Sequence, residues 1–142
     1  MPFVSEYLLM QGTIPRVDPT TRLTDRRRPF REPSGTILWQ ALHDHGVAGS
    51  TLLWNAVPWH PMGEGPLSNR PPNAHELQRG RQWLQRFLDL FPDAQPVALG
   101  RHAERALSAI GVEAPYLRHP SHGGADRFRE GLARLVSDET AD

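Results

Sequence analysis

The chain contains no cysteine and no lysine among its 142 residues. The absence of cysteine excludes disulfide bonds, thiolate catalysis and any zinc ion or iron–sulfur cluster held by cysteine. The absence of lysine leaves arginine to supply all 16 basic side chains, a bias typical of a GC-rich genome. The pairs His43 with His45 and His119 with His122 lack the i, i+4 spacing of a helical metal site. We therefore expect neither a metal nor another cofactor.

Long apolar runs are lacking as well. No stretch of about 18 apolar residues occurs, and no basic segment followed by an apolar one opens the chain, so we expect no membrane span, membrane partner or signal peptide. A cytoplasmic location follows by default, whereas the oligomeric state is open. The length suits a single domain, residues 1–142. Residues 136–142 are predicted to form a frayed tail, because acids dominate the end of the chain.

The charge is balanced overall but uneven along the chain. A formal net charge of zero is not typical of a protein that coats nucleic acid. Residues 16–31, however, are rich in arginine, and the prolines and missing periodicity of residues 11–33 predict a long loop. Loops of this length are usually functional or disordered. Arg26, Arg27 and Arg28 could contact nucleic-acid phosphates there, or could simply be solvated.

The rest of the sequence alternates predicted helices with predicted strands. The helices are expected at residues 34–45, 74–91, 103–110 and 125–136. The strands are expected at residues 51–57, 97–99 and 114–117, with a turn at residues 2–9 and a second loop at residues 58–72. Ser34 is the expected cap of the first helix, and Asn73 with Glu76 forms a capping box on the second. This pattern predicts an α/β fold with three layers, α/β/α, around a short parallel sheet.

Asn55 and His119 are expected at the carboxyl ends of strands, where ligands bind in open α/β sheets. The amide of Asn55 offers a donor and an acceptor, which match a pyrimidine edge that presents O4 as acceptor and N3–H as donor. Cytosine is rejected, because its N4 amino group is a donor. Alternatively, Asn55 only turns the strand end. Pro120 keeps His119 out of helical conformation, so its ring could donate to an oxygen that gains negative charge, or could belong to a plain surface turn.

Four further residues are candidates for binding a nucleic acid. Phe3 could be the apolar floor on which a flipped base stacks, or an ordinary core residue. Ser121 and the backbone N–H groups beside it could hold a DNA phosphate. His122 and Arg70 are further candidates for DNA contact.

Segments in a fixed order resemble the uracil-DNA glycosylase superfamily. MPFVSEYLL is similar to G-x-P-F-V-G-x-x-G-x-L-L, and WNAVPWHP followed by NRPPNAHEL to T-N-x-V-K-C-R-P-P-x-N-R-x-P-x-x-x-E-L. VALGRHAERAL resembles the family's strand–glycine–helix segment, and HPSHGG its final HPS motif. The similarity looks greatest to the iron–sulfur type of bacteria and archaea and its cluster-free relatives.

The resemblance implies a DNA repair enzyme that hydrolyses the N-glycosidic bond of a flipped uracil, or of another deaminated base, in single- or double-stranded DNA. By this resemblance Phe3 would stack on uracil, Asn55 would read its edge and His119 would assist bond cleavage. Relatives handle hypoxanthine, xanthine and thymine mismatches with small pocket changes, so the damaged base is open.

Two departures from the family pattern bear on activity. Trp59 stands where the cysteine of K-C-R-P would be, so no iron–sulfur cluster is expected. The first family motif, G-E-x-P-G, handles water and lies upstream of P-F, whereas this sequence begins at Met1. We therefore expect this motif and the first strand of the fold to be missing, through a late start assignment, a fragment or a natural remnant. An active glycosylase, a non-catalytic base-binding remnant and, more distantly, a nucleotide-processing hydrolase all stay open.

Overall fold

Helices dominate the chain, and the strands that join them are short. The computed structural model describes residues 3–19, 22, 24–65, 68 and 70–139, with Glu139 described by its backbone alone. The elements in chain order are α1 (Glu6–Met10), α2 (Pro33–Asp44), a 3₁₀ turn (Ala48–Ser50), α3 (Ala74–Leu90), β1 (Ala98–Leu99), α4 (Arg101–Ser108), β2 (Tyr116–Leu117) and α5 (Ala125–Glu139). None of the helices in these ranges is long and apolar enough to cross a membrane.

The contacts of the chain divide it into two compact units. The first unit combines Met1–Leu53 with Leu117–Asp142, and the second is Trp54–Tyr116. Each unit is described by itself below. The expected single domain and its three layers stay predictions, whereas the small α/β fold is confirmed.

The core of the first unit lies where α2 packs against α5. Phe128 of α5 is 1% exposed, and Leu132 follows it by one helical turn on the same face. On α2 the buried residues Leu38 and Leu42 have the same spacing, and Trp39 is buried beside them. Each such side chain stabilises the fold by about 1.5–3 kcal/mol relative to leaving it exposed. The apolar residues that recur about every helical turn along α2 and α5 therefore face this core.

The start of α2 differs from the prediction, in which Ser34 is its cap. The N-cap residue is Glu32, whose carboxylate accepts hydrogen bonds from the backbone N–H groups of Ser34, at 3.1 Å, and of Gly35. Pro33 suits the first helical position, where a missing N–H costs no hydrogen bond. The negative charge of Glu32 also complements the helix dipole. Ser34 is thus a buried residue inside the helix.

A buried carboxylate on α1 holds the arginine-rich loop. Glu6 is 6% exposed and accepts hydrogen bonds from the N–H of Thr24 at 2.7 Å, the hydroxyl of Thr24 at 3.0 Å and the N–H of Phe30 at 2.9 Å. The N–H of Tyr7 donates to the Phe30 carbonyl at 3.0 Å. The described residues between 11 and 32 contain neither helix nor strand, which confirms the predicted loop there. Hydrogen bonds to α1 therefore hold both ends of the segment 24–30, which carries three arginines of the loop.

Replacing Glu6 by alanine is expected to lower the free energy of unfolding by about 2–3 kcal/mol, because charged hydrogen bonds to two backbone N–H groups are lost. Urea denaturation followed by circular dichroism measures the change. The matched control is Glu130→Ala on α5, an exposed carboxylate, for which a change within about 0.5 kcal/mol is expected. Equal effects of the two substitutions would contradict the role of Glu6.

The second unit contains α3, β1, α4 and Tyr116, the first residue of β2. Leu84 of α3, Ala98 of β1 and Leu107 of α4 form its buried core. The two-stranded parallel sheet pairs β1 with β2, and the Ala98 N–H donates to the Pro115 carbonyl at 2.8 Å. The predicted capping box at the start of α3 is confirmed, since the carboxylate of Glu76 and the amide of Asn73 each accept the other's backbone N–H.

The strand predicted at residues 51–57 is wrong, because this segment has no β-ladder. In the first unit the Arg16 guanidinium takes the carbonyls of Gly49 and Thr51 as hydrogen-bond acceptors. In the second unit α3 packs on the segment directly. A Cβ on Gly80 would lie 2.4 Å from the Ala56 carbonyl oxygen, so the missing side chain permits the close approach. The apolar run is therefore not a strand here, and the segment stays partly exposed while it packs on a helix.

Smaller differences occur at the ends of the chain. α5 runs to Glu139, beyond the predicted end at residue 136, so residues 137–139 of the expected frayed tail are helical, and residues 140–142 lie outside the described residues. The turn predicted at residues 2–9 contains the five-residue helix α1, with Ser5 as its N-cap, and Pro2 lies outside the described residues.

Candidate functional site

His119 lies in a tight turn between β2 and α5 of the first unit. The strand ends at Leu117, and Arg118 separates it from His119. Pro120 follows His119 and is buried. Its ring keeps the preceding residue, His119, out of helical conformation, and the extended segment ends there. The chain then reverses, with the Gly124 N–H donating to the Ser121 carbonyl at 3.0 Å, before α5 begins. The imidazole is thus held on a short, proline-locked turn.

The hydrogen bonds of His119 define its tautomer. The backbone N–H of Ser121 donates to Nδ1 of the imidazole at 3.1 Å, and the Ser121 hydroxyl lies 2.7 Å from the same nitrogen. Because a backbone N–H can only donate, Nδ1 accepts and the proton of the neutral ring resides on Nε2. The Ser121 hydroxyl also lies 3.0 Å from Nδ1 of His122. The arrangement therefore leaves Nε2–H of His119 as a donor for another group.

The surroundings of His119 favour this neutral form. Burial lowers the pKa of His119 below its usual 6.5, and the neighbouring charge of Arg118 lowers it further. Glu32 raises the pKa of the ring, and His122 lowers it. Since the unfolded chain binds this proton more tightly, stability is lost as the pH falls from about 6.5 toward the pKa of the folded state.

We expect nuclear magnetic resonance of ¹⁵N-labelled protein to show this state of His119. At pH 7 the expected shifts are those of a ring with bare Nδ1 and protonated Nε2, and the titration midpoint should lie below 6.5 because of the burial described above. The signals are assigned from their absence in the His119→Gln variant. A midpoint above 6.5, or a proton on Nδ1, would contradict the assigned geometry.

Phe3 lies against His119 in the same unit. Their ring centroids are 5.3 Å apart with planes inclined by 36°. The Phe3 carbonyl accepts a hydrogen bond from Nε1 of Trp39 at 3.2 Å. A Cβ on Gly35 would lie 2.5 Å from that carbonyl oxygen and 2.7 Å from the Glu32 carboxylate. The absent side chain of Gly35 therefore allows the segment of Phe3 to rest on the start of α2.

Backbone strain occurs at Phe3 itself and at His122, three residues after His119. Phe3 has a φ of 56° and His122 a φ of 51°, in the left-handed region that side-chain-bearing residues rarely adopt. Such conformations cost about 1–3 kcal/mol and cluster at functional sites, where the surrounding structure maintains them. The strain supports the interpretation of this turn and the Phe3 segment as a site.

The close packing of the turn depends on Gly124. A Cβ at this position would lie 2.1 Å from the His119 carbonyl oxygen and 3.0 Å from that of Ser121. The Arg118 guanidinium donates to the His119 carbonyl at 2.9 Å. The backbone on either side of the imidazole is therefore held by a glycine and by an arginine.

Asn55 and Arg70 belong to the second unit, and the expected convergence of Asn55 with His119 stays a prediction. The placement of Asn55 at a strand end is wrong, because the described residues 51–54 that lead to it form no strand. Its side chain is exposed, and its neighbour Trp54 stacks on Phe87 of α3 with ring centroids 4.4 Å apart. This segment is therefore positioned by packing on α3 and not by pairing in a sheet.

Arg70 forms a two-pronged ion pair with Glu76 at the start of α3. Its two terminal nitrogens lie 2.7 Å and 2.8 Å from the carboxylate oxygens. The hydrogen bonds from Arg70 lower the pKa of Glu76 to about 2, with help from the backbone N–H of Asn73. The Arg70 side chain is 42% exposed and that of Glu76 is 17% exposed, so water screens the pair and its contribution to stability is small. A role of Arg70 in binding DNA stays a prediction.

The remaining candidates are Arg27 and Arg28, which are exposed in the loop that Glu6 holds. Arg28 also lines a cavity beside α1. Within the described ranges, no group of three or more histidine and acidic side chains has the arrangement of a metal site.

Sequence reasoning missed two residues beside His119. Glu32 is the helix cap whose charge acts on the imidazole, and Arg118 holds the backbone of the turn. The signal for Glu32 was its position directly before Pro33, which often opens a helix. Arg118 had a weaker signal, its place between a strand and the HPS turn.

Comparison with known proteins agrees with this picture. A family model described as the uracil DNA glycosylase superfamily matches residues 14–137, which include Asn55 and His119 but begin after Phe3. No match was found among curated proteins or among solved structures. The closeness to the iron–sulfur type stays a prediction. Because the family match covers most of the sequence, the chain belongs to the uracil-DNA glycosylase superfamily.

Proposed function

We propose that this protein is a DNA repair glycosylase that hydrolyses the bond between a flipped uracil and its deoxyribose. The observation that carries the proposal is the pair formed by the Phe3 ring and the neutral His119, whose centroids are 5.3 Å apart. The pair offers an aromatic surface for a base and, beside it, a hydrogen-bond donor for an oxygen of that base. Membership of a family that acts on DNA supports DNA as the substrate.

The chemistry needs a donor that is neutral at physiological pH. When the bond from N1 of uracil to C1′ of the sugar breaks, its electron pair moves into the ring and places negative charge on O2. The Nε2–H of His119 would donate to O2 and stabilise that charge, as a fixed donor does in an oxyanion hole. Water then adds to C1′, and its released proton passes to solvent.

Three other candidates would act on substrate binding. Asn55 would donate its amide N–H to O4 of uracil and accept the N3–H, which cytosine cannot match because its N4 group is a donor. Ser121 and His122, in the turn, would meet a phosphate next to the flipped nucleotide.

A uracil-release assay on single-stranded and double-stranded DNA tests the proposal. The substrate carries one uracil and a fluorescent end label, and alkali cleaves the strand wherever the base is lost. Cleavage that depends on the protein supports the proposal. Binding of uracil-DNA without base release would overturn it in favour of a base-binding protein. Parallel substrates with hypoxanthine or xanthine determine the base preference.

Replacing Asn55 by aspartate is expected to lower the rate of uracil release about 10–100-fold. The carboxylate cannot donate to O4 and repels it, and a buried hydrogen bond left unmade costs about 1–3 kcal/mol. The readout is kcat/KM in the same assay. The matched control is Asn73→Asp, the same chemical change at the N-cap of α3, where aspartate caps as well as asparagine. A loss of equal size in both variants would contradict base reading by Asn55.

A further inference from the structure

A cavity of about 460 Å³ lies beside α1 in the first unit. Two segments line it. α1 and its C-cap contribute Tyr7, Met10 and Gln11, and the loop that Glu6 holds contributes Arg28, Pro29 and Arg31. None of these residues belongs to the pair of Phe3 and His119. The cavity is large enough for one small ligand, since binding pockets begin at about 300 Å³.

The lining combines apolar surface with positive charge and no carboxylate. The Arg31 guanidinium lies 3.6 Å from the centroid of the Tyr7 ring. This cation–π contact holds the guanidinium over the face of the ring. Arg28 lines the cavity as well. The ion pairs formed within the described part of the chain involve other arginines. Two guanidinium groups therefore offer their charge to an anion, beside an aromatic ring and aliphatic surface.

The walls of this cavity are held in place before any ligand binds. The Tyr7 N–H donates to the Phe30 carbonyl at 3.0 Å, which ties the loop between Arg28 and Arg31 to α1. Glu6, the preceding residue of α1, takes the Phe30 N–H at 2.9 Å. A loop bound at these points loses less conformational freedom on binding, which favours affinity.

The cavity and the proposed base site are formed by neighbouring residues of the sequence. Phe3 precedes α1, which carries Tyr7, and Arg31 directly precedes Glu32, whose carboxylate acts on His119. The same two segments of one unit thus contribute to both places. A strand that presents one nucleotide to Phe3 would have neighbouring nucleotides within the same unit.

We propose that this cavity binds one unpaired nucleotide of single-stranded DNA outside the base-cleavage site. The base would stack on Tyr7 and on the aliphatic surface of Met10 and Pro29, and the phosphate would be held by Arg28 and Arg31. Stacking beside guanidinium groups is the general mode of binding for single strands, because every base has an aromatic face. The inference rests on the proposed function only in taking DNA as the ligand.

The test measures binding of fluorescein-labelled oligothymidine, which contains no uracil, by fluorescence anisotropy at several salt concentrations. Tyr7→Leu is expected to weaken binding about tenfold, the effect of losing one stacked base. Arg31→Gln is expected to weaken binding by a similar factor through the loss of one phosphate contact. Tyr7→Phe keeps the ring and should bind like the unchanged protein. Arg31→Gln should also reduce the slope of log affinity against log salt by about 0.7, the value for one single-strand phosphate contact.

The control Arg127→Gln removes an exposed guanidinium of α5 in the same unit. Unchanged binding in both Tyr7→Leu and Arg31→Gln, or an equal loss in Arg127→Gln, would overturn the inference. Equal loss of affinity for duplex DNA of the same sequence would overturn the assignment to single strands. Competition by thymidine monophosphate as strong as by the unlabelled oligonucleotide would overturn the assignment to a DNA chain. Arg31→Gln leaves the aromatic ring intact, so it serves if Tyr7→Leu does not fold.

The outcomes separate this inference from the proposed function. If oligothymidine binding depends on Tyr7 and Arg31 but no uracil is released from DNA, the proposed reaction fails and the nucleotide site stands. If uracil is released and both variants bind oligothymidine normally, the site fails and the proposed reaction stands.

Discussion

Replacing His119 by alanine is expected to lower the rate of uracil release about 10²–10³-fold, the usual cost of removing one donor from an oxyanion hole. The methyl group cannot donate to O2 of uracil, and the turn keeps no other imidazole against Phe3. The loss should fall on kcat, because the donor stabilises charge that exists only in the transition state. Uracil-release kinetics under single-turnover conditions measure it.

Two further variants make the His119 experiment decisive. His119→Gln keeps a side-chain N–H and should recover part of the rate, whereas alanine should not. The control is His102→Ala, which removes an exposed imidazole of α4 in the second unit. Thermal denaturation of all variants establishes that the protein stays folded. Release by His119→Ala at the rate of the unchanged protein would refute the role of the imidazole.

Replacing Gly124 by alanine is expected to damage both stability and activity. The added Cβ would lie 2.1 Å from the His119 carbonyl oxygen, far inside van der Waals contact, so the backbone of the turn must move. Overpacking of this kind costs about 1–3 kcal/mol. A displacement of about 1 Å at the imidazole lowers the rate of base release about 10²-fold. Urea denaturation and the release assay measure the two effects separately.

The matched control for Gly124 is Gly49 in the 3₁₀ turn of the same unit. A Cβ there meets no atom within 4 Å, so Gly49→Ala should change the free energy of unfolding by less than about 0.5 kcal/mol. Both substitutions add one methyl group to a glycine, and only the space around them differs. If Gly124→Ala behaves like Gly49→Ala, the turn is not held by this close approach.

Local patterns predicted the helices best. The capping box of Asn73 and Glu76 predicted the start of α3 correctly, since it depends on residues within a few positions of one another. The cap of α2 was missed because glutamate is not a preferred N-cap residue. The missing side chain of Gly35 leaves the space that the Glu32 carboxylate takes.

The strands were harder to predict, for a reason visible at residues 51–57. An apolar run does not report which element it packs against, and here the partners include the Gly80 face of α3 and the ring of Phe87. These contacts lie far away in the sequence, so no local pattern contains them. For the same reason the placement of Asn55 at a strand end was wrong.

The sequence by itself determined the family, through the order of its motifs, and the proline-locked turn that carries His119. The tertiary structure alone decided what surrounds that imidazole. Phe3 meets it from the other end of the chain, Glu32 adds a charge, and Nδ1 is occupied by Ser121, which leaves Nε2–H as the donor. Motifs depend on neighbours along the chain, whereas charge, burial and tautomer depend on neighbours in space.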